Sequence, residues 1–371
     1  MEELNAKELE EYYKENSGCE GVGHLRFILM IFVCFWAFTI PEPTGILTAI
    51  SGFAIPCFFL LSGYFVLTEE KGKREIKIAG KLARTLRCLA FVFVFYMIIN
   101  VALLLVTHTG VTISKRLIFN FVVLNLWPLP VGTNFWFLQA MAYAYLILFV
   151  AEKLNLLRFY KVALVLLMIL MLLTGEFAGI IHFNFLKYTY IPGNWLTRAL
   201  PYLLLGMFLR EKKSILFRIR TWVYVALLIL GAALVVGELI LLGINGVLVY
   251  EGHMIGYGIM AVAALGLAIR NPQAIVTPAS FYDTAFSGII YIFMEPVYYM
   301  LAFGLGLINA NAPAMFMAYA GGVVAMILSM VLALILKGTI LSAAFFSNYH
   351  LKNMQKEDIA AKALGESYEE L

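Results

Sequence analysis

The sequence predicts an all-α integral membrane protein, a bundle of about ten transmembrane helices with both termini cytoplasmic. Three observations carry that prediction. Hydrophobic residues make up 62% of the 371 positions and charged residues only 13%, too little polar side chain to wet the surface of a globule. Mean hydropathy is +0.88, and apolar runs near the length that crosses a hydrocarbon core, about 20 residues, follow one another along the chain. The Lys and Arg residues fall in alternate gaps between those runs, as insertion requires when basic loops stay on one side.

The elements follow in order. A polar, acidic leader over 1–21 lacks the basic start and small-residue cleavage site of a secretory signal, so it reads as a retained cytosolic segment. The first span covers 22–41 and the second 46–67, with "FFLLSGYF" at its end. The third covers 88–107 and is entered through "KLARTLRCLAF". A further apolar stretch at 117–126 precedes "WPLPVGTN" and leaves room for an eleventh crossing or an interfacial helix. Spans four to ten follow at 134–151, 161–175, 195–209, 221–242, 253–270, 285–308 and 314–336, the fifth of them short. One membrane domain therefore occupies 22–340, and a tail of mixed charge, 341–371, reads as cytosolic. Neither an internal repeat nor a low-complexity tract is visible.

With ten spans and an inner N-terminus, 23 of the 27 basic residues lie on the cytoplasmic side, leaving Lys115, Arg116, Lys187 and Arg198 outside. That asymmetry accounts for the net charge of +4 without a nucleic-acid partner; the partner the composition does require is a lipid bilayer, and the location a multi-pass place in a cell membrane. Cys19, Cys34, Cys57 and Cys88 have no paired spacing, which excludes a disulfide framework and predicts no metal site.

Ionisable groups within apolar runs are costly and therefore informative. They are Arg26, Arg84, Arg87, Arg198, Glu238, Asp283 and Glu295. Arg26 shares a helix face with Met30, Val33 and Ala37; it either snorkels to the headgroups or points into a passage. Arg84 and Arg87, three apart, share a face that suits a phosphate, although a basic cluster at an inner helix end also follows from insertion alone. Arg198 stands out because the outer side has few cations. Glu295, followed by Pro296, needs a partner, a proton or a wet cavity, and Pro296 frees a backbone carbonyl. Glu238 reads as reaching the outer interface. The five histidines read as solvated loop or end residues, and Tyr188, Tyr190 and Trp195 as interfacial aromatics or a sugar-stacking surface.

The stretches "LRFILMIFVCFWAF", "AIPCFFLLSGYFV", "KLARTLRCLAFVFVFYMI", "FWFLQAMAYAYLILF", "TRALPYLLLGMFLR" and "SGIIYIFMEP" occur in one order over nearly the whole chain, and as an ordered set they resemble acyltransferase family 3 of membrane proteins. The resemblance implies a ten-helix O-acyltransferase that takes an acyl group, commonly acetyl from acetyl-CoA, at the cytoplasmic side and passes it to a hydroxyl of a carbohydrate or other cell-envelope acceptor outside. It implies roles residue by residue: Arg26 as the arginine of the first-span motif, Arg84 and Arg87 as contacts to the donor's phosphates, and Trp136 and Arg198 as substrate-binding positions. Ser62 and Gly63 would allow close helix approach.

Two departures matter. The motif's histidine, eleven residues after Arg26 and about 16 Å deeper, is Ala37 here. In a late segment like Y-x-x-H-P, Met294 stands where His is frequent. Neither side chain takes a proton. Three readings stay open: an enzyme using another base, for which Glu295 is the candidate; a catalytically silent relative acting as transporter, sensor or partner subunit; or an alanine introduced into an otherwise ordinary enzyme.

Overall fold

The computed structural model describes residues 19–38, 41, 45–67, 71–107, 114–174, 195–245, 254–270, 284–308 and 312–337. Among them every regular element is helical. Residues 1–18 of the leader, the tail from 338, Asp283, Tyr188, Tyr190, and the histidines other than His24 lie outside the described residues.

Helix α1 spans Cys19–Ala37. The second apolar run forms α2 (Ile46–Ser51) and α3 (Ala54–Tyr64), joined through Gly52 as one crossing unit, Ile46–Tyr64. Helix α4 (Lys71–Thr107) is longer than the predicted third span, because 71–87 is rich in Lys, Arg, Ala and Leu and holds no proline, so the helix continues through its basic segment despite Gly72 and Gly80. At about 1.5 Å per residue it reaches about 55 Å, well beyond the about 30 Å of hydrocarbon that a span has to cross. Helix α5 (Lys115–Val122) is capped by the Ser114 hydroxyl, which accepts from Leu117 N at 3.2 Å. Its eight residues reach only about 12 Å, too short for an eleventh crossing.

Helix α6 covers Phe135–Lys153, and a 3₁₀ turn (Leu156–Phe159) leads into α7 (Tyr160–Thr174), lengthening the short fifth run. A π-helical turn (Trp195–Ala199) opens α8 (Leu200–Glu211), followed by α9 (Lys213–Arg218), α10 (Thr221–Ile244) and α11 (Ile255–Arg270). Helix α12 (Thr284–Ile308) contains Pro296. Finally α13 (Ala312–Phe316) passes through a second π-helical turn (Met317–Gly321) into α14 (Gly322–Lys337).

Seven of the described helices are long and apolar enough to cross a membrane, and Gly21–Ala37 and Ile255–Arg270 are shorter apolar helices. The tightest pairs are α10 with α11, α3 with α8, α12 with α14 and α4 with α6. At the basic end α4 and α6 exchange charges, Arg74 to Glu152 at 2.8 Å and Lys153 to Glu75 at 2.5 Å. Cys34, Cys57 and Cys88 are free and buried.

The inner acids have a shared use. Glu238 is buried, and its carboxylate accepts from Ile255 N at 3.0 Å and Gly256 N at 3.3 Å, at the start of α11. Glu295 does the same before α6, as described below. A carboxylate at a helix N-terminus satisfies orphan N–H groups and opposes the positive end of the helix dipole. The carbonyl freed by Pro296, four residues back at Ile292, accepts the Tyr96 hydroxyl at 2.7 Å.

Candidate active site

A cavity of about 370 Å³ opens between α1, α3, α4, α6 and α12. Its cations come chiefly from one face of α4, where Lys77, Lys81, Arg84 and, deeper, Cys88 recur at helical spacing. Helix α1 adds Arg26 and Met30 to the lining. Phe58 and Leu61 of α3 with Phe137, Leu138 and Met141 of α6 form the apolar wall, and Ser287, Gly288 and Tyr291 of α12 close a further side. No Asp or Glu lines this cavity among the described residues.

Lys81 Nζ donates to the Ser62 carbonyl at 3.1 Å and lies 5.8 Å from the centre of the Tyr145 ring. The Arg26 guanidinium lies 5.8 Å from the Phe65 ring centre, a cation–π contact within the cavity lining. Arg84 also lines the cavity, but Arg87 is exposed on another side of α4. The lining positions 77, 81, 84, 85 and 88 form one stripe along α4, and Arg87, about 100° round the helix from Cys88, falls outside it. Lys77 and Lys81 were missed from the sequence. Their signal was the 77, 81, 84, 88 periodicity, hidden in a segment read as an ordinary basic loop.

Deeper in the bundle a second arrangement forms around Arg198, which is only 1% exposed. Its guanidinium stands 5.5 Å from the Trp136 ring centre and 5.9 Å from that of Trp36. Trp136 comes from the first turn of α6, Trp36 from the end of α1, and Arg198 from the π-helical turn before α8. A turn one residue wider than α re-aims its side chains, and here it turns the arginine between two indoles. The structure thus brings together the two residues predicted to bind substrate. Ala37 follows Trp36 directly and is partly buried; beyond it, Phe38 stacks on Tyr298 with ring centres 4.4 Å apart. Arg26 and Ala37 therefore belong to opposite ends of the site, one at the basic cavity and one beside the Trp–Arg–Trp layer.

Glu295 is 5% exposed and does not line the cavity. Its Oε1 accepts from Gly132 N and Thr133 N and its Oε2 from Asn134 N, each at 3.1 Å. Gly132 has φ +112, and a Cβ there would stand 2.4 Å from the Tyr96 ring, so only glycine fits this turn. The same loop is pinned from α4, where Asn100 donates to the Val131 carbonyl at 2.6 Å and accepts from Val131 N at 3.0 Å.

A helical bundle with seven described helices long and apolar enough to cross a membrane, enclosing a cationic cavity and a buried arginine, defines a multi-pass membrane protein. The acyltransferase 3 family model, an acyltransferase domain, matches residues 20–336, and the chain belongs to that family. Comparison with curated proteins and with solved structures finds no match in either.

Proposed function

We propose that the protein is a membrane O-acyltransferase that takes an acyl group, acetyl first among candidates, from a cytosolic acyl-CoA and delivers it to a hydroxyl of a carbohydrate or other cell-envelope acceptor. Ten crossings, cytoplasmic termini and a place in a bacterial inner membrane belong to the same reading. The observation that carries it is the cavity in which Arg26, Lys77, Lys81 and Arg84 meet an apolar wall. Guanidinium and ammonium groups suit a donor's phosphates, and the wall of Phe58, Leu61, Phe137 and Leu138 suits its uncharged arm.

In the transfer the acceptor oxygen attacks the thioester carbonyl, the C–S bond breaks as the C–O bond forms, the hydroxyl proton leaves to a base, and the thiolate gains a proton. The cations hold the donor, and the Trp36–Arg198–Trp136 layer orients the acceptor. The base is the weak point. The face from Arg26 to Ala37 ends in a methyl group, and both oxygens of Glu295 already accept backbone N–H groups.

Ala37 favours a second reading, a catalytically silent relative that binds the donor and serves as transporter, sensor or partner subunit. One experiment separates the two. Purified protein in nanodiscs is given radiolabelled acetyl-CoA and a mixed glycan acceptor. Label in the acceptor supports the enzyme; saturable donor binding without transfer supports the silent relative; absence of binding removes both.

A further inference from the structure

We infer that Glu295 is a positioning residue that couples the basic cavity to the Arg198 layer, an inference that rests on reading those two regions as one site. Helix α12 carries Tyr291 and Glu295 one turn apart, on the same face. Tyr291 lines the cavity. Glu295 takes three backbone N–H groups from the residues just before α6, and Asn134 Nδ2 returns a hydrogen bond to the Tyr291 carbonyl at 3.0 Å. Four hydrogen bonds thus fasten one turn of α12 to Gly132, Thr133 and Asn134.

Asn134 is the N-cap of α6, and Trp136, two residues on, is the side chain that covers Arg198. A shift of α12 at the cavity wall is therefore carried through Glu295 into the start of α6 and so to the indole on the arginine. The carboxylate suits this coupling because it is acceptor-only, so both oxygens can receive N–H groups that α6 cannot satisfy within itself. Charge-assisted bonds of this kind are stronger than neutral ones, and their loss leaves buried donors unbonded. Glutamine at 295 is nearly isosteric but turns one oxygen into an NH₂ facing an N–H, so it breaks the fastening without emptying the space.

The test is a double-mutant cycle on the full chain in nanodiscs, read by melting temperature, with Glu295→Gln, Trp136→Phe and the pair. Coupling predicts that the two losses are clearly non-additive, while Glu238→Gln, the same kind of change at the cap of α11, adds simply to Trp136→Phe. Glu295→Asp, which keeps the charge, recovers part of the coupling. Acetyl-CoA affinity is measured on the same samples, and Glu295→Gln weakens it several-fold although Glu295 does not line the cavity. Additive melting losses for both glutamates, or an unchanged affinity beside a lowered melting temperature, overturn the inference. Absence of acetyl-CoA binding in the wild type counts against the donor reading alone, since the melting cycle needs no ligand.

Discussion

Gly63 and Gly206 face each other where α3 crosses α8, so closely that a Cβ on Gly63 would stand 1.9 Å from the Leu203 carbonyl oxygen and one on Gly206 2.0 Å from that of Leu60. The obstacle in both cases is backbone, which cannot rotate away as a side chain would. Small residues permit such contact between membrane helices, where packing has to replace the hydrophobic drive available in water. Gly63→Ala or Gly206→Ala forces the helices apart and is expected to cost roughly 2–3 kcal/mol, at the upper end of overpacking effects. Melting of the detergent-solubilised protein checks this, with Gly80→Ala, where a Cβ meets nothing, as the control expected to hold or slightly raise stability because alanine is the better helix former.

Arg84 and Arg87 should behave unlike each other. Only Arg84 lines the cavity, whereas Arg87 is exposed elsewhere on α4. If the cavity holds the donor's phosphates, Arg84→Ala removes a charge-assisted contact and weakens acetyl-CoA binding about 10- to 100-fold. Arg87→Ala stays within about twofold of the wild type, because an exposed cation adds little at such range in salt. Equilibrium binding of labelled acetyl-CoA at fixed ionic strength decides it, and equal losses for both variants would remove the cavity as the phosphate site.

A third prediction concerns pH. At the basic end Glu211 accepts from Lys161 Nζ at 2.7 Å and from the Tyr160 hydroxyl, joining α8 to α7. The Lys161 hydrogen bond first, then that of Tyr160, holds its carboxyl below the ordinary 4.5. A carboxyl lowered in the folded state stabilises the fold at pH values above its unfolded pKa, and that contribution fades as the pH drops toward the lowered value. The melting difference between wild type and Glu211→Gln is therefore full at pH 7 and is lost as the pH falls below the ordinary 4.5 and through the lowered value. It is small throughout and shrinks further in high salt, since the pair is solvent-exposed. A difference that grew on acidification would contradict the arrangement.

The helices were legible because each apolar run is long and bounded, and the polar punctuation between runs marks their ends. The basic extension of α4 was not, since its charge and its glycines, Gly72 and Gly80, were read as loop although 71–87 holds no proline and is otherwise rich in helix formers. Arg198 and Trp136 were each singled out by the family's pattern, but their contact and the indole of Trp36 were not, because a π-helical turn sets the arginine's direction and no spacing rule announces one. The donors on Glu295 lie 161 to 163 residues away in sequence and are backbone groups, which carry no residue-type signal at all. The sequence could say that this acid needed partners; only the fold could supply them.

Ala37 gives the sharpest prediction. It ends α1 on the Arg26 face, about 16 Å further along the axis, directly after a tryptophan of the Arg198 layer. A histidine there would supply an imidazole nitrogen able to accept a hydroxyl proton, which the alanine methyl cannot do. With the donor site intact, Ala37→His is expected to raise acetyl transfer from labelled acetyl-CoA to a hydroxyl acceptor by about 10²-fold or more over the wild type, the scale of a single general base. Ala37→Asn, similar in bulk but unable to act as a base near neutral pH, should give no gain, and Ala37→His combined with Arg84→Ala should lose it by weaker donor binding. If Ala37→His binds acetyl-CoA as the wild type does and still transfers nothing, a missing base is not what silences the site, and the non-catalytic reading of the bundle stands.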